Sequence, residues 1–191
     1  MGGNQLKEEL FKAAENGDYS TFAALSKDEL SKSLLSMRNE DDRSLLHVAV
    51  SSGQTEVVSL LSTVDEVARV VNSADEEGWA PLHSATSIGI SEIVDILLSK
   101  GADVNLKNNG RRTALHYAAS KGRFKIAQAL ISHGAEINVK DKVGCTPLHR
   151  AASTANSELC ELLIEEGADI DAVDNAGQTA LMNAVICDNK D

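Results

Sequence analysis

Leu82, Leu115, Leu148 and Leu181 stand 33 residues apart, and around each the chain reads as a variant of Thr-Pro-Leu-His. A period fixed by position constrains the fold more than any composition can. A unit this short cannot bury its own apolar face and must stack on copies of itself. Extending the alignment upstream adds Leu46 and Leu10, each after an interval of 36 residues, three more than the rest. The chain of 191 residues therefore reads as one repeat array, with units near 5–38, 39–74, 75–107, 108–140, 141–173 and an incomplete 174–191.

The interior of each unit predicts an all-α repeat solenoid, with helix-loop-helix units joined by β-hairpin loops. Seven positions after the anchors come Gly17, Gly53, Gly89 and Gly122, suited to a tight turn between helices because glycine tolerates φ > 0. Ala155 and Asp188 depart from that pattern. Apolar residues spaced as in Ile93, Val94, Ile96 and Leu97 place one stripe on each second helix. First helices are short and alanine-rich, as at Ala118-Ala119, so neighbours approach closely and the stack curves to a concave side. Gly101, Gly134 and Gly167 predict left-handed helix stops, and β-prone pairs follow them at Val104-Asn105, Ile137-Asn138 and Ile170-Asp171. Asp141-Lys142-Val143-Gly144 and Asp174-Asn175-Ala176-Gly177 read as hairpin tips. Asn108-Asn109-Gly110-Arg111 carries its glycine one place early and predicts a differently turned hairpin. The long connection from Asp65 to Glu77 predicts a second helix extended through Val67 and Val70.

A period of about 33 residues with Thr-Pro-Leu-His and a later Gly-Ala-Asp resembles the ankyrin repeat, a hairpin followed by two antiparallel helices. Thr113 and Thr146 are expected to cap the first helices, and Pro147 and Pro81 to open them. His47, His83, His116 and His149 recur once per unit. Stacked helices lie about 8–10 Å apart, whereas zinc ligands sit about 2 Å from one ion, so these rings are expected to hydrogen-bond neighbouring loops. His133 falls outside the motif, at a helix end. No nucleotide, zinc-protease or hydrolase motif is present, and no cofactor is expected. Cys145 and His149 are close in sequence, but Cys145 occupies the variable position before Thr146 and His149 belongs to the structural motif, so the chain is expected not to be an enzyme.

Three cysteines with no C-x-x-C pair suit a reducing compartment, and charges interrupt every apolar run before a membrane span could form. Leu6 stands where amino-terminal myristoylation favours Ser or Thr. The net charge of −11 disfavours nucleic acid and anionic lipid as partners. It conceals a pattern: residues 1–99 carry 7 basic and 17 acidic side chains, 100–150 carry 10 and 3, and 151–191 carry 1 and 9. A partner matched to these blocks presents the opposite order.

Once scaffold residues are set aside, binding falls to hairpin tips and exposed first-helix positions: Asp41, Arg43, Glu76, Glu77, Trp79, Arg111, Arg112, Tyr117, Lys121, Lys142 and Arg150. Trp79 is the only tryptophan and serves either as a binding anchor or as cover for the neighbouring hairpin. Tyr117 and Arg150 fill the variable slot after the motif histidine and are expected to be exposed. Glu158, Glu161, Glu165 and Glu166 lie on a second helix and are read as solvated.

Arg43-Ser44-Leu45-Leu46-His47, Gly78-Trp79-Ala80-Pro81-Leu82-His83 and Thr113 to Lys121 resemble the family of gankyrin, the 26S proteasome non-ATPase regulatory subunit 10. The resemblance extends to Leu148-His149-Arg150-Ala151-Ala152 and implies a protein-binding scaffold that chaperones proteasome assembly. Its partner would be a proteasomal ATPase subunit, whose C-terminal domain sits on the concave face and meets Asp41, Arg43, Glu76, Trp79 and Lys121. A cytoplasmic and nuclear monomer follows from the same resemblance. The alternative is a generic ankyrin regulator, such as a kinase inhibitor or a transcription-factor retainer. The family's L-x-C-x-E motif for retinoblastoma protein is replaced by Asn183, Ala184, Val185, Ile186 and Cys187, which does not support that activity. In the sixth unit Leu181, Ala184 and Val185 are expected to be partly uncovered and to fray.

Overall fold

The computed structural model describes residues 2–188. The chain divides between Asp103 and Val104 into two compact units. Unit 1 contains α1 (Gly2–Asn16), α2 (Tyr19–Ala23), α3 (Lys27–Ser36), α4 (Leu45–Ser51), α5 (Thr55–Leu61), α6 (Val67–Val70), α7 (Pro81–Ile88) and α8 (Ser91–Ser99). The first helices form a row, α1 on α4 and α4 on α7, and the second helices a parallel row, α2 on α5 and α5 on α8. Unit 2 contains α9 (Ala114–Lys121), α10 (Phe124–Ser132), α11 (Pro147–Ser153), α12 (Ser157–Glu165) and α13 (Ala180–Asp188). There α9, α11 and α13 form the first row and α10 packs on α12.

The periodic leucines make the core. Leu10, Leu46 and Leu115 are fully buried, each worth about 1.5–3 kcal/mol relative to an exposed side chain. Leu181 is 73% exposed and gains little of this; Val185 is 53% exposed and Ala184 half-buried, so all three are partly uncovered as expected. These residues line an apolar groove of about 870 Å³ with Ala152, Cys160 and Ile164.

The turn glycines take the left-handed backbone expected of them, with φ of 72° at Gly53 and 64° at Gly122. Ala155 takes it too, at φ 54°, so the turn forms without glycine and carries strain. The turn after Asp188 lies outside the described residues. Gly101, Gly134 and Gly167 stop α8, α10 and α12 with φ from 85° to 92°, and the amide after each returns to a carbonyl in the helix.

Three local expectations need correction. The segment after α5 does not continue it: Ser62 and Thr63 end the helix, with the Thr63 hydroxyl donating to the Leu60 carbonyl at 2.7 Å. The separate turn α6 then buries Val67 and Val70 against α3. The β-prone pairs form no strands among the described residues, where an isolated bridge joins Val173 and Thr179. Finally, the tip at Asn108 turns like the others. Arg111 adopts φ 58° where Gly78, Gly144 and Gly177 adopt 76° to 82°, and its amide donates to the Asn108 carbonyl at 2.8 Å, as those of Gly78 and Gly144 do to Asp75 and Asp141.

Candidate protein-binding surfaces

Each tip is closed by one side-chain oxygen. Asn39 Oδ1 accepts the amides of Asp41 and Arg43 at 3.1 and 2.9 Å, and Asp75 Oδ1 accepts those of Glu77 and Trp79 at 3.0 and 2.8 Å. Asn108, Asp141 and Asp174 repeat the arrangement with the amides two and four residues on. This local side-chain turn explains why the backbone is uniform while the glycine position varies. Adjacent tips are tied by backbone, Glu76 N to Asp41 O at 3.1 Å in unit 1 and Lys142 N to Gly110 O at 2.9 Å in unit 2.

The motif histidines complete the frame. Nδ1 of His47, His83, His116 and His149 accepts the amide three residues earlier, at 3.1 or 3.2 Å. Nε2 then carries the proton and donates to a carbonyl of the next repeat: Trp79 for His47, Cys145 for His116 and Gln178 for His149, at 3.0 to 3.1 Å. Burial favours the neutral ring, lowering the His47 pKa and bringing that of His116 down to about 4. Thr146 caps α11 as expected, accepting the His149 amide at 3.4 Å. Thr113 is likewise the N-cap residue of α9, with its hydroxyl 3.0 Å from His116 Nδ1. His133 ends α10, its Nδ1 donating to the Ala129 carbonyl at 2.8 Å. Among the described residues no group of three or more His, Cys, Asp and Glu is arranged to hold a metal ion. Cys145 is buried, which pushes its thiol pKa up, and both nitrogens of His149 are engaged elsewhere.

The residues predicted for binding fall into two groups. In unit 1, Asp41 and Glu76 are exposed on tied tips. Arg43, with 36% of its side chain exposed, donates from Nε to the buried Asp75 at 3.0 Å. Trp79 is half-buried with its ring 6.0 Å from that of His83, so it packs on the first helix of its own repeat. In unit 2, Lys121 is exposed at the end of α9. Tyr117 and Arg150 are half-buried, which corrects the expectation of exposure. Each braces the tip of its own repeat from nine residues away: Asn108 Nδ2 donates to the Tyr117 hydroxyl at 2.7 Å, Arg150 Nη2 donates to Asp141 Oδ2, and Asn183 Nδ2 donates to Asp174 at 3.4 Å.

Asp141 is the residue the sequence reading overlooked. Its side chain is 1% exposed, and it takes Arg112 Nε at 3.2 Å as well as Arg150. Burial alone raises its carboxyl pKa. The hydrogen bond and charge of Arg150, then the Cys145 amide and Arg112, outweigh this and hold it below the ordinary range. The signal was present as aspartates opening tips at 75, 141 and 174, at multiples of the period.

A family model for ankyrin repeats matches residues 10–108, 71–141 and 138–191, nearly the whole chain. The chain belongs to the ankyrin-repeat family. Ankyrin repeats mediate protein–protein interaction, so this chain is a protein-binding scaffold. No curated protein matches the sequence.

Proposed function

We propose that the chain is a non-enzymatic assembly chaperone of the gankyrin type, which holds the C-terminal domain of a proteasomal ATPase subunit. The observation that carries this reading is in unit 1, where Arg43 is fixed on Asp75 beside the tied tips bearing Asp41 and Glu76. A charged side chain held in one geometry loses less entropy on binding than a free one, so these positions are suited to specific recognition. They coincide with positions that the family resemblance assigns to the client; the resemblance also assigns Lys121, which is exposed in unit 2. Residence in cytoplasm and nucleus, monomeric state and absence of catalysis belong to the same reading.

Capture on immobilised protein from a proteasome-containing lysate tests it at low salt, where ionic contacts persist. Recovery of a proteasomal ATPase subunit that is lost on Arg43→Glu supports the reading. Recovery of other clients through the same residues, with no ATPase subunit, contradicts it.

A further inference from the structure

In unit 2 one carboxylate serves two guanidinium groups. Asp141 Oδ1 closes its tip by accepting the amides of Val143 and Cys145, at 3.1 and 3.0 Å. Oδ2 accepts from Arg112 and Arg150, whose side chains keep 39% and 22% of their exposure. The three side chains sum to a charge of +1 in a place half withdrawn from water. Arg150 Nε is buried and meets no acceptor.

The fold does not need this arrangement. Asn108 and Asp174 close their tips with the same two amides while meeting Tyr117 and Asn183 in place of arginines. More cationic side chains border the triad. Lys142 follows Asp141, and its amide bond to Gly110 sets the exposed Arg111 on the adjoining tip. Arg111 stays in the left-handed backbone, a strain of about 1–2 kcal/mol for a residue with a Cβ, where glycine stands in three other tips.

We propose that Arg112 and Arg150, braced on Asp141, form a receptor for one carboxylate in an acidic segment of the partner protein, with Arg111 and Lys142 taking the neighbouring acidic side chains. Planar guanidinium groups match a carboxylate fork, and a second carboxylate completes an alternating set of two cations and two anions. Asp141 is a positioning residue: it orients both arginines before the partner arrives. The inference rests on this surface being a docking surface, and it does not require the client to be an ATPase subunit.

The test is titration of the full ¹⁵N-labelled chain with a hexaglutamate peptide at roughly 50 mM salt, following the arginine Nε–H signals. Saturable shifts are expected at Arg112 and Arg150. Combined Arg112→Gln and Arg150→Gln weakens binding by roughly tenfold or more, while Lys125→Gln on α10 changes it by less than about twofold. Asp141→Asn keeps an oxygen to close the tip, as Asn108 does, and makes the unit more positive. A braced receptor nevertheless loses affinity in this variant, whereas diffuse attraction to polyglutamate gains it. Unchanged or tighter binding by Asp141→Asn, equal losses from Lys125→Gln, or preference for a phosphoserine peptide of equal length overturns the proposal. Loss of ATPase-subunit capture with these peptide results intact rejects only the client.

Discussion

The imidazole Nε2 of His116 lies 3.1 Å from the carbonyl oxygen of Cys145 in the next repeat, and this bond requires the ring to be neutral on Nδ1, which accepts the Thr113 amide. This joint between repeats therefore depends on His116 staying uncharged.

A pH dependence follows, with a definite sign. In the unfolded chain His116 protonates near its ordinary pKa of about 6.5, whereas in the folded chain it does so only at about 4. The unfolded state binds more protons between these values, so stability falls as pH drops through that window. The His116 shift corresponds to on the order of 3 kcal/mol, complete below the folded value. His47 adds in the same direction. Asp141, whose folded pKa is depressed, keeps its contribution above about pH 4 and loses it only below. Urea unfolding at pH 7.5, 6, 5 and 4.5 should show a progressive decline, less steep in His116→Asn; a flat profile contradicts the neutral-ring account.

Arg111 and Ala155 share a strained backbone, at φ 58° and 54°, and differ in what their side chains are for. Replacing either by glycine relieves strain, offset in part by the entropy glycine loses on folding, for a net gain of about 0.5–1 kcal/mol. That amounts to roughly 1–4 °C in Tm for a chain of this size. Arg111→Gly should weaken binding of the acidic peptide while Ala155→Gly leaves it unchanged. Calorimetry with peptide titration separates the two; equal binding by both variants removes Arg111 from the surface.

Exposure of Leu181, Met182, Val185 and Ile186 leaves much of the apolar surface of α13 in water, so little burial opposes its opening. Amide exchange from Leu181 to Val185 should be much faster than in α9, whose Leu115, Ala118 and Ala119 are fully buried. Strong protection in a monomer would show that something other than burial holds α13.

Much of the fold was legible because spacing alone sets it. The leucine period located the helices, and glycines at 101, 134 and 167 marked their ends, since a left-handed stop is a local property of one residue. Glycine position does not determine the tip at Asn108. The Asn108 oxygen, bonded to the amides of Gly110 and Arg112, decides the turn. The burial of Tyr117 and Arg150 has a related cause. Nothing in a helical or strand period shows that a first-helix side chain reaches back nine residues to its own tip, yet that reach sets their burial. The same blindness hid Asp141, which looked like an ordinary turn aspartate.

The most direct measurement is calorimetric titration of the full chain with the purified C-terminal domain of a proteasomal ATPase subunit, beside Arg43→Glu and Lys121→Glu. The assembly-chaperone account predicts saturable binding that weakens with salt and by at least about tenfold in each charge reversal. Absence of binding at low salt, or binding that both reversals leave unchanged, contradicts it.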